Sequence, residues 1–429
     1  MKRHLLCLLM ILAMLMGCSR RHYRPSLKDV LKHNPALEQV LERYKGDSLK
    51  TEAAEFLLMN LPYYYSYSEK DMEAYLKVHE YYGVGKWYSV QQAQDSAMRQ
   101  YGTYNAITTN KISDLTISPE FLIENIDWAF KVREEQPWSK NVSWEDFCEY
   151  VLPYRIKDEC LKPWREKLYN KYNPMLDDIR DLPEAEDPLF VSRVLIDSIS
   201  REESRFSSLL GYGPHIGPDV VDWVSGNCRE LTDRLIYIFR ALGLPCGCDY
   251  MPLRGDGNVA HYWNFVLDKE GTTYCMYEKQ AIKTMEDFFD CRAKIYRQTF
   301  SLNEEEQERI RCDLRKVYPN FRYPMYKDIT RMYSDVFART LTVPREELIS
   351  DIRMNEIVYL CSSSHMKWLP VAWTYPDRDG ITFNDVQGRV ILCLAVYRDG
   401  ELIPVTEPFE LNKETGNVHY YHAGDTLED

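Results

Sequence analysis

The stretch Ser225–Pro245, SGNCRELTDRLIYIFRALGLP, decides how the rest of the chain is read. Leu231, Leu235, Ile238, Phe239 and Leu242 recur at i, i+4, i+7, i+8 and i+11, which is the spacing of one face of a helix. Gly243 and Pro245 stop it, because glycine accepts the left-handed cap and proline cannot continue the helix. Cys228 therefore opens the helix. In a first turn the free backbone N–H groups and partial positive charge stabilise a thiolate and lower its pKa. The same N–H groups can hold the oxyanion of an acyl intermediate.

Downstream the pattern turns to strands. Cys246–Leu253 is rich in β-formers and ends at the turn Gly255-Asp256-Gly257-Asn258. His261–Leu267 then alternates, which places His261, Trp263 and Phe265 on one face. A second turn, Asp268–Gly271, leads into a run from Thr272 to Glu278. A cysteine that accepts acyl groups needs a general base, and the base needs a carboxylate to orient it. Chain order supplies Cys228, then His261, then Asp268 or Glu278. Cys246 and Cys248 with Cys228 and His261 also make a conceivable metal clamp; alternate strand cysteines are equally natural as core residues.

These residues resemble the transglutaminase-like superfamily of papain-type folds. The shared pattern is Gly226-x-Cys228, then Arg240-Ala241-Leu242-Gly243-Leu244-Pro245, then His261-Tyr262-Trp263-Asn264, with Tyr274 four residues before Glu278. The resemblance implies an α+β core and a catalytic set of Cys228, His261 and Glu278. Glu278 stands where the family usually has aspartate. The resemblance also implies a cysteine protease or amidase acting on peptide or isopeptide bonds through a thioester; Trp263 reads as packing the site wall, and no metal or cofactor is expected. The other reading is a catalytically inactive binding module of the same fold, which grips a peptide, a glycan or a protein partner.

Working outward, Lys2 and Arg3 precede the apolar run Leu5–Met16, and Leu15-Met16-Gly17-Cys18 follows as a lipobox-like end. The run is shorter than the roughly 20 residues of a membrane span. A signal peptide at 1–17, lipid on Cys18 and a tether at 18–26 are expected. That places the protein on the Gram-negative envelope, most naturally the outer membrane, facing the periplasm or the exterior. Residues 27–206 read as helical: Leu122, Ile126, Ala129 and Phe130 form one stripe, opened by Ser118-Pro119. Tyr63–Tyr65 and Tyr67 read as helix-end packing rather than a sugar groove. The expected organisation continues with the core at 207–300, a connecting helical segment at 301–335 that includes Glu304–Glu306, and an immunoglobulin-like β-sandwich at 336–429.

The full chain has 429 residues, enough for two or three domains. Its 53 basic against 66 acidic residues give a net charge of −13, which repels phosphate backbones and excludes a general nucleic-acid binder. Twelve cysteines in an exported chain permit disulfides, but their spacing is not that of a disulfide scaffold. A peptide or protein substrate is the expected partner.

Overall fold

The structure is a computed structural model that describes residues 25–422 apart from 105–108, 203, 255–258, 278–279, 283–291, 334–337, 366 and 413. Residues 1–24, with the expected signal peptide and Cys18, therefore lie outside the described residues, as does Glu278. The described chain is α+β. Among its described residues no helix is long and apolar enough to cross a membrane.

The N-terminal half is built from helices α1 (Ser48–Asn60), α2 (Glu69–Gly83), α3 (Pro119–Glu135), α4 (Arg165–Tyr172) and α5 (Pro188–Ile199). In α3 the Ser118 hydroxyl accepts the Phe121 N–H at 3.3 Å, as a helix start requires. Its stripe Leu122, Ile126, Ala129 and Phe130 is turned wholly into the core. This half also contains a short antiparallel ladder of Tyr65–Tyr67 with Lys111–Ser113. The tyrosine run thus continues from a 3₁₀ turn, Leu61–Tyr63, into a strand rather than only closing a helix.

Helix α6 (Cys228–Ala241) crosses one face of a six-stranded antiparallel sheet. The strands are β1 (Cys246–Met251), β2 (His261–Leu267), β3 (Thr273–Tyr277), β4 (Gln280–Ile282), β5 (Tyr296–Gln298) and β6 (Tyr326–Asp328). Their order is β6-β5-β1-β2-β3-β4. The edge strand β6 comes from the stretch read as a helical connector. Three residues are too short to show a strand period, and only pairing of Tyr326 with Gln298 makes them one. The charged helix of that stretch exists, shorter, as Glu304–Arg309.

Cys246, Cys248 and Val266 share one core with Ile236, Tyr237 and Phe239 of α6 and with α4 and α5. The helix is therefore packed on both sides. Thr232, Asp233 and Arg234 are buried, while Leu231 and Leu235 of the expected apolar stripe are only half-buried. The stripe is buried in its second half, at Ile238, Phe239 and Leu242, whereas in the first half polar residues go inside where partners from other segments meet them.

The C-terminal region holds β7 (Arg339–Pro344), β8 (Val358–Ser364), β9 (Lys367–Thr374), β10 (Gly380–Val386), β11 (Ile391–Arg398), β12 (Glu401–Pro404), β13 (Phe409–Leu411) and β14 (Val418–Tyr420). One sheet runs β9-β8-β11-β13-β14, with β12 also on β11, and β7 pairs with β10 in a second. Leu341, Val343 and Ile381 of the small sheet meet Leu360, Leu392 and Leu394 of the large one in a common core. On its other face the large sheet presents Tyr359, Cys361 and Trp373 to Tyr296 and Tyr326 of β5 and β6.

Candidate active site

The backbone before α6 is forced into an unusual path. Val224 is left-handed at φ 46° and Gly226 has φ 148°. A Cβ on Gly226 would stand 2.2 Å from the Glu230 Cβ, so this position takes only glycine. The close approach closes a capping box. The Asn227 side chain accepts from the first turn, and Glu230 accepts the Asn227 N–H at 2.9 Å. Glu230 is fully buried, and the Arg229 guanidinium beside it at 2.6 Å holds its carboxyl below the ordinary range despite that burial. Cys228 is thereby fixed as the first residue of α6, half-buried.

Three backbone N–H groups favour the thiolate: that of Tyr262, that of Arg229 and its own. Tyr262 stands beside His261 in β2, so its influence on the thiol brings the start of α6 to the start of that strand. The sequence expectation of a lowered pKa is not met at Cys228. Burial pushes the thiol above its usual range and the Glu230 carboxylate adds to this; the N–H donors pull it down without prevailing.

His261 opens β2, opposite Met251 of β1. Alternation puts it on the Trp263 side, and the two rings lie 5.7 Å apart. The other side of β2 faces α6, where the Asn264 amide donates to the Thr232 carbonyl at 2.9 Å. Trp263 is buried and held: its indole N–H donates to the Tyr333 hydroxyl at 2.9 Å, and Tyr333 donates to Asp249 at 2.6 Å. Arg297 closes the chain with bonds to both Asp249 oxygens at 2.8 and 2.9 Å. The wall behind His261 is thus a rigid polar network running from β2 through β1 to β5.

The two candidate acids separate. Asp268 follows the far end of β2, seven residues from His261, which at about 3.3 Å per residue is about 23 Å. Its carboxylate instead accepts the Glu270 and Thr272 N–H groups at 3.0 and 2.7 Å, which makes it a turn residue. Asp268 cannot orient His261. Strand β3 runs back toward the His261 end and pairs Met276 with Asn264; Glu278 lies beyond, outside the described residues. Cys246 and Cys248 are buried on the α6 side of β1, as core residues.

A second histidine, unremarked in the sequence reading, closes over the same helix. His215 Nδ1 lies 2.7 Å from an Asp233 oxygen, both largely buried. Burial alone would lower the His215 pKa, but the Asp233 charge and hydrogen bond raise it overall. Asp233 is about 140° round α6 from Cys228 and about 7.5 Å along it, so the pair braces a neighbouring face rather than the thiol. Arg229 donates to the Gly213 carbonyl at 2.8 Å, and Asn227 donates to that of Leu210 at 2.8 Å. Together they strap the glycine-rich stretch across the first turn of α6. No period or motif in the sequence marks His215; only the folded loop brings it within reach.

No protein-family model matches the chain, and no curated protein or solved structure matches it.

Proposed function

We propose that the protein is an envelope-anchored cysteine acyl-transfer enzyme with a transglutaminase-like, papain-type core, carrying lipid on Cys18 and cleaving peptide or isopeptide amides. The observation that carries this reading is Cys228 as the first residue of α6, its thiol under the influence of the backbone N–H of Tyr262, the strand neighbour of His261 at the start of β2. His261 takes the Cys228 proton, and sulfur attacks the amide carbonyl. The backbone N–H of Cys228 faces the oxyanion. Collapse of the tetrahedral intermediate expels the amine, which takes the proton from His261 and leaves a thioester. Water, deprotonated by His261, then releases the acid. Glu278 orients the imidazole, and Trp263, locked by Tyr333, supports it from behind. The C-terminal sheets take an immunoglobulin-like role as scaffold.

Because burial raises the Cys228 pKa, the helix start alone does not produce a thiolate, and activation falls to His261. That same raised pKa is the observation that favours the second reading, an inactive binding module for a peptide, glycan or protein partner.

The alkylation rate of each cysteine against pH, read by peptide mass spectrometry, separates the two. Under the enzyme reading Cys228 labels rapidly below about pH 7, ahead of an ordinary thiol of pKa about 8.5, and His261→Ala abolishes that advantage. Labelling of Cys228 only at alkaline pH, unchanged in His261→Ala, overturns the enzyme reading and leaves the binding module.

A further inference from the structure

The seam between residues 311–316 and the large C-terminal sheet forms a cleft of about 630 Å³ whose lining does not include Cys228 or His261. Five arginine and lysine side chains line it against three carboxylates, a local excess of positive charge in a chain whose net charge is −13. Two of the cations are already engaged. Arg398 grips both Glu356 oxygens at 2.6 and 2.8 Å and also donates to the Asp351 carbonyl, while Arg315 holds Asp313 at 2.6 Å. These pairs use two of the three carboxylates.

Arg311, Lys316 and Arg353 form no ion pair within the described residues. The Arg311 guanidinium rests 5.4 Å from the Tyr375 ring centre. Three like charges around one concavity repel one another, and a cleft concentrates their field on whatever anion enters. A carboxylate would answer one of them; a phosphate monoester carries about 1.5 to 2 negative charges at pH 7 and three acceptor oxygens suited to guanidinium forks. The volume leaves room for an organic body beside the phosphate, against Tyr397 and the buried Ile357.

We propose that this cleft binds a phosphate-bearing ligand, with Arg311, Lys316 and Arg353 on the phosphate. The proposal is independent of the acyl-transfer reading. The ligand is a soluble phosphate ester or a phosphorylated lipid headgroup. Two probes distinguish these sources on the full-length protein: inorganic pyrophosphate and short-chain dihexanoyl phosphatidic acid, each titrated by calorimetry. At least one binds saturably, and Arg311→Gln with Arg353→Gln weakens it by about tenfold or more, a loss of about 1.4 kcal/mol. Removing two exposed charges elsewhere, as Lys28→Gln with Lys32→Gln, leaves binding unchanged. Tighter binding of the phosphatidic acid assigns the site to a lipid headgroup, and tighter binding of pyrophosphate to a soluble ester. Absence of saturable binding by both probes, or equal weakening in the two double variants, overturns the proposal.

Discussion

The single residue on which the site depends most is one that performs no chemistry. Gly226 lets the chain turn against Glu230 so tightly that any side chain would collide with it, and that turn presents Cys228. Gly226→Ala must push the Glu230 side chain aside while keeping a φ that alanine resists. We expect a loss of about 2–4 kcal/mol in urea unfolding, with the Cys228 labelling profile altered in parallel. The candidate acids give a sharper contrast. Asp268→Asn keeps a turn acceptor and removes only a charge about 23 Å from His261, so it leaves the pH profile of Cys228 alkylation unchanged. A shifted profile in that variant would contradict the strand geometry.

At the level of elements, the wall behind His261 joins segments far apart in sequence. Trp263 of β2 donates to Tyr333, Tyr333 to Asp249 of β1, and Arg297 of β5 clasps the same carboxylate. Tyr333→Phe keeps the ring and deletes the hydroxyl, leaving a buried indole N–H without its acceptor and a carboxylate oxygen without one donor. Each such group costs about 1–3 kcal/mol. The expected result is a stability loss of that order and a changed tryptophan emission, with the protein still folded. Helix α6 is anchored in the same manner on its other side. Tyr237 donates to Glu159 at 2.6 Å, and Arg155 lies against Glu159 and Asp114. Burial opposes ionisation of Glu159, yet its neighbours, Arg155 first, hold its pKa down at about 2.

For the whole molecule, the loop strapped over α6 makes stability depend on pH. His215 has a folded pKa raised above its ordinary 6.5, so the folded state binds its proton more tightly than the unfolded chain does. Its contribution is full below about pH 6.5 and is lost as pH rises through the folded value. Asp233 is also raised, chiefly by burial, which has the same sign. The destabilisation caused by His215→Gln, from urea unfolding of variant and parent side by side, is therefore larger at pH 5.5 than at pH 8.5. An equal or opposite difference would refute the assignment of a charged His215–Asp233 pair.

The sequence by itself determined local things. The 3.6-residue period, the cap residues and the Gly-Pro stop located α6 to its first residue. Strict alternation located β2 and the shared side of His261 and Trp263. Short-range hydrogen bonding and side-chain period are written in consecutive residues, so both are legible there. The tertiary structure decided what depends on residues distant in sequence. It chose the buried face of α6, because partners such as His215 and Glu202 let Asp233 and Arg234 go inside. It turned Tyr326–Asp328 into an edge strand, since three residues become one only by pairing. It also separated Asp268 from His261 along an extended strand and set the Cys228 thiol high by burial, because distance and desolvation are properties of the folded molecule alone.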